Sequence, residues 1–380
     1  MAATEHDVRE EYWENEPTGV EVEPEDDAGI DRPWDPRSIR VNTKQFSLRN
    51  ILDLIQEDDL ELAPDFQRHR VWKPGQKSRL IESVLLQIPL PAFYFAEDEK
   101  GMMRVVDGLQ RLSTVRDFVR GAPPFVLQDL EYLKDQEGRT FEDLPQALRR
   151  RIHNTQIVAH VIDPTTPTDV MYDIFKRINT GGSPLNGQEI RHCMSKDRSR
   201  NFLKECTETQ EFRLATGARF PGHVRMHDRE SVLRFCAFHL LGVEKYKEQR
   251  SMDSFLEETT RHLDDPERIS DQELGDLRET FRRSMTNCFE VFGGHAFRKW
   301  PLGTDDRKPI NRPLFECWSV ALADLAPEDV RARRTAVASR ARTLMTSDQE
   351  YIDAITSSTG IVRRVELRFS RTRGAARAGS

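Results

Sequence analysis

The spacing of hydrophobic positions changes several times along the chain, and each change marks an element. Up to about Arg40 no periodicity is visible, and the segment reads as unstructured. Leu48, Ile51, Leu52 and Ile55 then recur at helical spacing and predict a short amphipathic helix. Pro64-Asp65-Phe66-Gln67-Arg68 reads as a loop or a short extended piece. Leu80, Ile81, Val84, Leu85 and Ile88 form the buried stripe of a second helix, opened by Pro74 and ended by Pro89 and Pro91. Residues 92–95 and 103–106, separated by a polar turn, predict a hairpin. Gly108 breaks the returning strand, and Leu112, Val115, Phe118 and Val119 continue as a helix. Residues 157–162 predict another strand, and Val170, Ile174, Phe175 and Ile178 a further helix. Thr180-Gly181-Gly182-Ser183-Pro184 forces a loop, with a new helix starting near Asn186.

Beyond Ser195 strand signals nearly vanish. Helical periodicity covers 200–208, 229–241, 251–263, 271–292, 313–325 and 328–345, and 361–369 reads as a late strand. No internal repeat is present. The pattern predicts an α+β protein in four parts: an acidic, disordered tail (1–40), an α/β domain (41–195), an α-helical domain (196–360) and a basic tail (361–380).

Composition sharpens this picture at three points. A length of 380 residues favours more than one core. No apolar run approaches the roughly 20 residues that span a bilayer, and the acidic start lacks the pattern of a secretory signal, so a cytoplasmic location without membrane contact is expected. The five cysteines include no C-x-x-C pair, which points to reduced thiols rather than a disulfide or zinc framework. The net charge of −7 is concentrated at the front: thirteen acidic residues up to Asp35 face only Arg9 and Arg32. Without that segment the chain is slightly basic. Arg363, Arg364, Arg368, Arg371, Arg373 and Arg377 crowd the far end, where a solvated tail and a contact to nucleic-acid phosphates are both open readings.

Three constellations carry candidate chemistry. Asp107-Gly108-Leu109-Gln110-Arg111 sits where a strand meets a helix, whose unpaired N–H groups favour an anion. There Gly108 allows close approach, Arg111 offers a planar fork for phosphate, and Asp107 and Gln110 suit a metal and a water. The plainer alternative is a helix cap with a surface ion pair. Arg68, with Asp65, Phe66, His69, Arg70 and Trp72, makes a basic and aromatic loop. Asn179, Thr180, Gly181 and Gly182 make a glycine-rich turn that suits a phosphate cradle. Beyond it, Asn186 and Glu189 have capping-box spacing, which competes with Glu189 as a metal ligand. His223 and His227 are four apart but lack the glutamate of H-E-x-x-H, and neither a P-loop nor a G-x-S-x-G elbow occurs.

Taken in order, these segments resemble the GmrSD restriction endonuclease N-terminal domain family. The resemblance rests on Pro64 with Phe66-Gln67-Arg68, on Trp72, and on the Leu80-Ile81-Glu82-Ser83-Val84-Leu85 helix leading to Ile88-Pro89-Leu90-Pro91. It continues through Asp107-Gly108-Leu109-Gln110-Arg111 to the stretch from Phe175 to Arg191. It implies a ParB/sulfiredoxin-like fold and a nucleotide-binding role in defence against foreign DNA. The family's D-G-Q-Q-R motif maps onto Asp107, Gly108, Gln110 and Arg111, with Leu109 in place of the first glutamine. On this resemblance Asp107, Gln110 and Arg111 are expected to be catalytic. Arg68, Gly108, Asn179, Thr180, Gly181 and Gly182 are expected to hold a nucleoside triphosphate, and Asp107 and Glu189 its Mg²⁺. Family members often carry an HNH nuclease domain at the C-terminal end, and no H…N…H arrangement follows Ser195. The expected function is an NTP-hydrolysing sensor or switch of a restriction system, acting on DNA directly or through a separate nuclease subunit. A metal-dependent nicking nuclease using Asp65, Asp107 and Glu189, and a non-enzymatic DNA- or partner-binding adaptor, are the alternatives. Oligomeric state is open.

Overall fold

The computed structural model describes residues 8–13, 16–23, 39–62, 72–98, 100–167, 170–171, 174–175, 177, 186–218, 220–223, 225–249 and 251–377. The chain divides into two compact units: Arg32–Met194, and a second built from Met1–Asp31 together with Ser195–Ser380.

Two short strands, β1 (Glu10–Trp13) and β2 (Glu16–Glu21), precede the first unit in sequence and pair antiparallel. That unit is built on β3 (Val41–Ser47), β4 (Leu60–Glu61), β5 (Phe93–Glu97), β6 (Met103–Asp107) and β7 (Gln156–Ile162). They form one mixed five-stranded sheet in the order β3-β7-β5-β6-β4. β3 and β6 run antiparallel to β7 and β5 respectively, while β5–β7 and β4–β6 are parallel. Alternation sets the faces. Phe93, Phe95, Val105, Ile157, Ala159 and Val161 point into the main core. Against them pack α1 (Leu48–Gln56), α2 (Pro74–Leu85), α3 (Leu109–Arg120) and α4 (Gln146–Asn154). On the other face Ala96, Val106 and Ile162 make a smaller cluster with Phe175 and Ile190.

The predicted strands and helices of this unit are present where they fall among the described residues, and β3, β4 and α4 are additional. β3 is mostly exposed and rich in Asn, Thr, Lys and Gln, so no apolar alternation announces it. Its identity comes from a seven-residue ladder with β7. α4 buries only Ile152. A structural residue also emerges in α2. Glu82 is buried, and its carboxylate accepts the N–H groups of Glu131 (2.9 Å), Tyr132 (2.7 Å) and Leu133 (2.8 Å). Ser78, one turn earlier, accepts from Gln128 at 3.0 Å. Together they pin the long connection after α3 onto α2.

The second unit is helical, as expected. Its longest helix, Asp271–Phe292, begins at a capping box in which Ser270 and Glu273 satisfy each other's N–H groups. Phe281 of that helix meets Phe212 and Phe235 in the core. The expectations for both ends of the chain need correction. The acidic front is not a featureless tail: β1 and β2 belong to this unit, and Glu21 N–H and Ile310 N–H bond Ile310 and Gly19 carbonyls at 2.8 Å each. The predicted strand at 361–369 and the basic tail are instead one helix, Val362–Ala376.

Charge pairing explains both departures. Glu316, fully buried, accepts from Arg234 and from Arg368, which is itself fully buried. Arg234 also reaches Glu230 (2.8 Å) and, in the front segment, Glu23 (2.9 Å). Glu21 holds Lys299 and Asn311, and Glu11 lies beside His227 and Arg312. Burial alone would raise the Glu11 carboxyl, yet His227, Arg312 and Arg225 outweigh it and hold it at about 2. His223 bonds the Thr18 carbonyl (2.9 Å) and His227 meets Arg312 (2.8 Å), so this pair belongs to the same network rather than to a zinc site. All five cysteines are buried free thiols.

Two outcomes are expected. Glu316→Ala leaves the buried Arg368 without a carboxylate and takes one of three from Arg234, and should cost about 3–5 kcal/mol in denaturant unfolding; a loss below about 1 kcal/mol would refute the network's role. Glu82→Gln should cost about 2 kcal/mol. Burial would raise the Glu82 carboxyl, but its three backbone donors prevail and its pKa lies below the ordinary 4.5. Its contribution is therefore full above pH 4.5 and fades as pH falls through the lowered value. Wild type and Glu82→Gln should converge in stability in acid.

Candidate functional site

The strand-to-helix junction after β6 is built around a residue without a side chain. Gly108 has φ +96° and ψ 8°, a left-handed conformation, and forms the N-terminal cap position of α3. A Cβ placed there would lie 2.2 Å from Phe93 Cδ1 and 2.7 Å from Cε1. Glycine is thus required twice, for the backbone angle and for the space. Because Gly108 offers no side-chain cap, the first-turn N–H groups of α3 are left for another acceptor.

Arg111, one turn into α3, braces this junction. Its Nη2 donates to Asp107 Oδ2 (3.1 Å) and to the Ala92 carbonyl (3.1 Å), and its Nη1 donates to the Pro91 carbonyl. Its guanidinium carbon sits 4.1 Å from the Phe93 ring centre. Burial pulls the Arg111 pKa down, and the Asp107 carboxylate pushes back. The side chain is 12% exposed, against 39% for Asp107. The fork expected to grasp phosphate is therefore committed to its own strand ends. The other oxygen of the partly exposed Asp107 has no hydrogen-bond partner among the described residues. Gln110 is half-buried, and among the described residues its amide is also without a partner. Leu109 turns toward the core and packs against it, which explains how an apolar residue fits where the family has glutamine.

The other expected residues fare differently. Arg68, Asp65, Asn179, Thr180, Gly181 and Gly182 lie outside the described residues. Glu189 is fully buried and forms the capping box: its Oε2 accepts Asn186 N–H (2.7 Å), and its own N–H donates to Asn186 Oδ1 (2.9 Å). That structural role occupies the group expected to bind metal. Among the described residues no three His, Cys, Asp or Glu side chains cluster as a metal site. No described helix is long and apolar enough to cross a membrane.

Sequence reasoning missed three residues beside the motif. The sheet register places Thr43, His160, Tyr94 and Asp107 in one row across β3, β7, β5 and β6. Thr43 Oγ1 lies 3.0 Å from His160 Nδ1, and the Tyr94 and His160 rings are 5.0 Å apart. The only sequence signal was that Tyr94 and His160 are polar-tipped rings on the alternate positions of two otherwise apolar strands.

Gly108→Ala should destabilise the protein by at least about 2 kcal/mol, combining left-handed strain with the Phe93 clash. Thermal unfolding checks this, and a midpoint equal to wild type would show that the junction tolerates a Cβ.

A search of curated proteins finds no match to the chain. Residues 49–195 match the family described as GmrSD restriction endonuclease, N-terminal domain, and span almost all of the sheet unit, including the Asp107 junction and Glu189. Over this segment, less than half of the chain, the sequence matches the N-terminal domain of the GmrSD restriction endonucleases.

Proposed function

We propose that the sheet unit binds a nucleoside triphosphate at the α3 N-terminus and hydrolyses it, as the switch of a restriction system that acts on DNA directly or through a separate nuclease. The observation that carries this reading is the uncapped start of α3 beside one open carboxylate oxygen of Asp107. N–H groups and the helix dipole attract phosphate oxygens. Asp107 fits a Mg²⁺ that arrives with the triphosphate, since such an ion uses one or two carboxylates and takes its other ligands from phosphate and water. The ion would supply charge neutralisation. Gln110 is placed to orient a water at the same end of the helix. Arg111 acts as a positioning residue: it holds Asp107 in place while Pro91 and Ala92 hold it. Glu189, engaged in its cap, has no part in this reading.

Phosphate release from the four common NTPs with Mg²⁺ tests it. Wild type should turn over at least one, and Asp107→Ala should reduce that rate by about a hundredfold or more. Wild-type protein that is folded yet neither binds nor hydrolyses any of the four would sink the reading.

A further inference from the structure

The row of residues beside Asp107 has no assigned role. Tyr94 and His160 stand on β5 and β7, on the alternate positions between Phe93 and Phe95 and between Ala159 and Val161. Both are half-buried, and Tyr94 packs against the small cluster of Ala96, Val106, Ile162, Phe175 and Ile190. Their rings are tilted by 39° with centres 5.0 Å apart, so they form a continuous aromatic ledge across two strands. Thr43, on β3, closes the row: its hydroxyl 3.0 Å from His160 Nδ1 fixes the imidazole plane. His160 Nε2 has no partner among the described residues.

The ledge starts one strand from Asp107 and ends two strands away, about 5 and 10 Å at the usual strand spacing. α3 packs on the Phe93 face and the rings stand on the opposite one, so a ligand anchored by phosphate at the α3 N-terminus reaches them by passing the end of β6. Each ring is apolar on its face and polar at its edge, the kind of surface on which nucleobases stack.

We infer that Tyr94 and His160, with His160 held by Thr43, form the base-stacking part of a nucleoside triphosphate site whose phosphate end is the Asp107–Gly108 junction. This rests on the nucleotide reading above and adds to it where the base lies. Stacking is tolerant of base identity, and the polar edges of the ledge are the Tyr94 hydroxyl and His160 Nε2.

Binding of the four NTPs and of inorganic tripolyphosphate separates the two parts of the site. Wild type should bind at least one NTP more tightly than tripolyphosphate. Tyr94→Ala and His160→Ala should each weaken NTP binding about tenfold or more, while tripolyphosphate binding stays at the wild-type level. Tyr94→Phe, which keeps the ring and the packing, should bind NTPs as wild type does. Unchanged NTP affinity in Tyr94→Ala would overturn the ledge, as would an equal loss for NTP and tripolyphosphate. Wild type that binds both alike would remove the ledge and leave the phosphate site standing. Wild type that binds neither would remove both.

Discussion

A charged side chain taken out of water must be met by a partner where it arrives, and this constraint organises both units. At the α3 junction the charge is Arg111. Its donors are claimed by Asp107 and by the carbonyls of Pro91 and Ala92, and its flat face is covered by Phe93. One guanidinium thereby joins the end of β6, the approach to β5 and the first turn of α3. Position 108 admits only glycine, because Phe93 leaves no room for a Cβ there. The aspartate that the family motif places next to the glycine is thus oriented by the same contacts that hold the strand ends together. Fold and candidate chemistry share one set of atoms.

The same rule, with opposite sign, governs Glu82. Three successive backbone N–H groups substitute for a cation there, and the connection following α3 takes its path from them. In the helical unit the rule operates over much larger sequence separations. Arg234, Arg312, Lys299 and Arg368 are answered by Glu230 and Glu316 from the helices and by Glu11, Glu21 and Glu23 from the front of the chain. A buried pair of this kind adds little net stability over apolar packing, but it penalises every arrangement in which one member is unmatched.

How much of this the sequence disclosed follows from the range of each interaction. The junction at Asp107 was legible because strand, glycine and helix are contiguous, and because the fold there obeys local rules. The capping box of Asn186 and Glu189 was legible for the same reason, and so was the long helix that begins after Ser270. The hairpin at residues 10–21 was not, since its acidic residues look solvated until Lys299, Arg312 and Arg234 are brought to them. Arg368 was read as part of a basic tail because nothing near it in sequence announces Glu316. The row of Thr43, His160 and Tyr94 was hidden by sheet order: β3, β7 and β5 are neighbours in space, and more than a hundred residues separate the first two in the chain.

The hairpin also sets a timetable for synthesis. Glu11, Glu21 and Glu23 leave the ribosome well before the groups that answer them, which begin at Arg225 and His227, and Thr359, which bonds Glu23, comes more than three hundred residues later. The sheet unit, encoded between them, has all its strands in hand by Ile162. It can close while residues 10–23 are still waiting, so a segment translated ahead of the sheet unit reaches its final place after it.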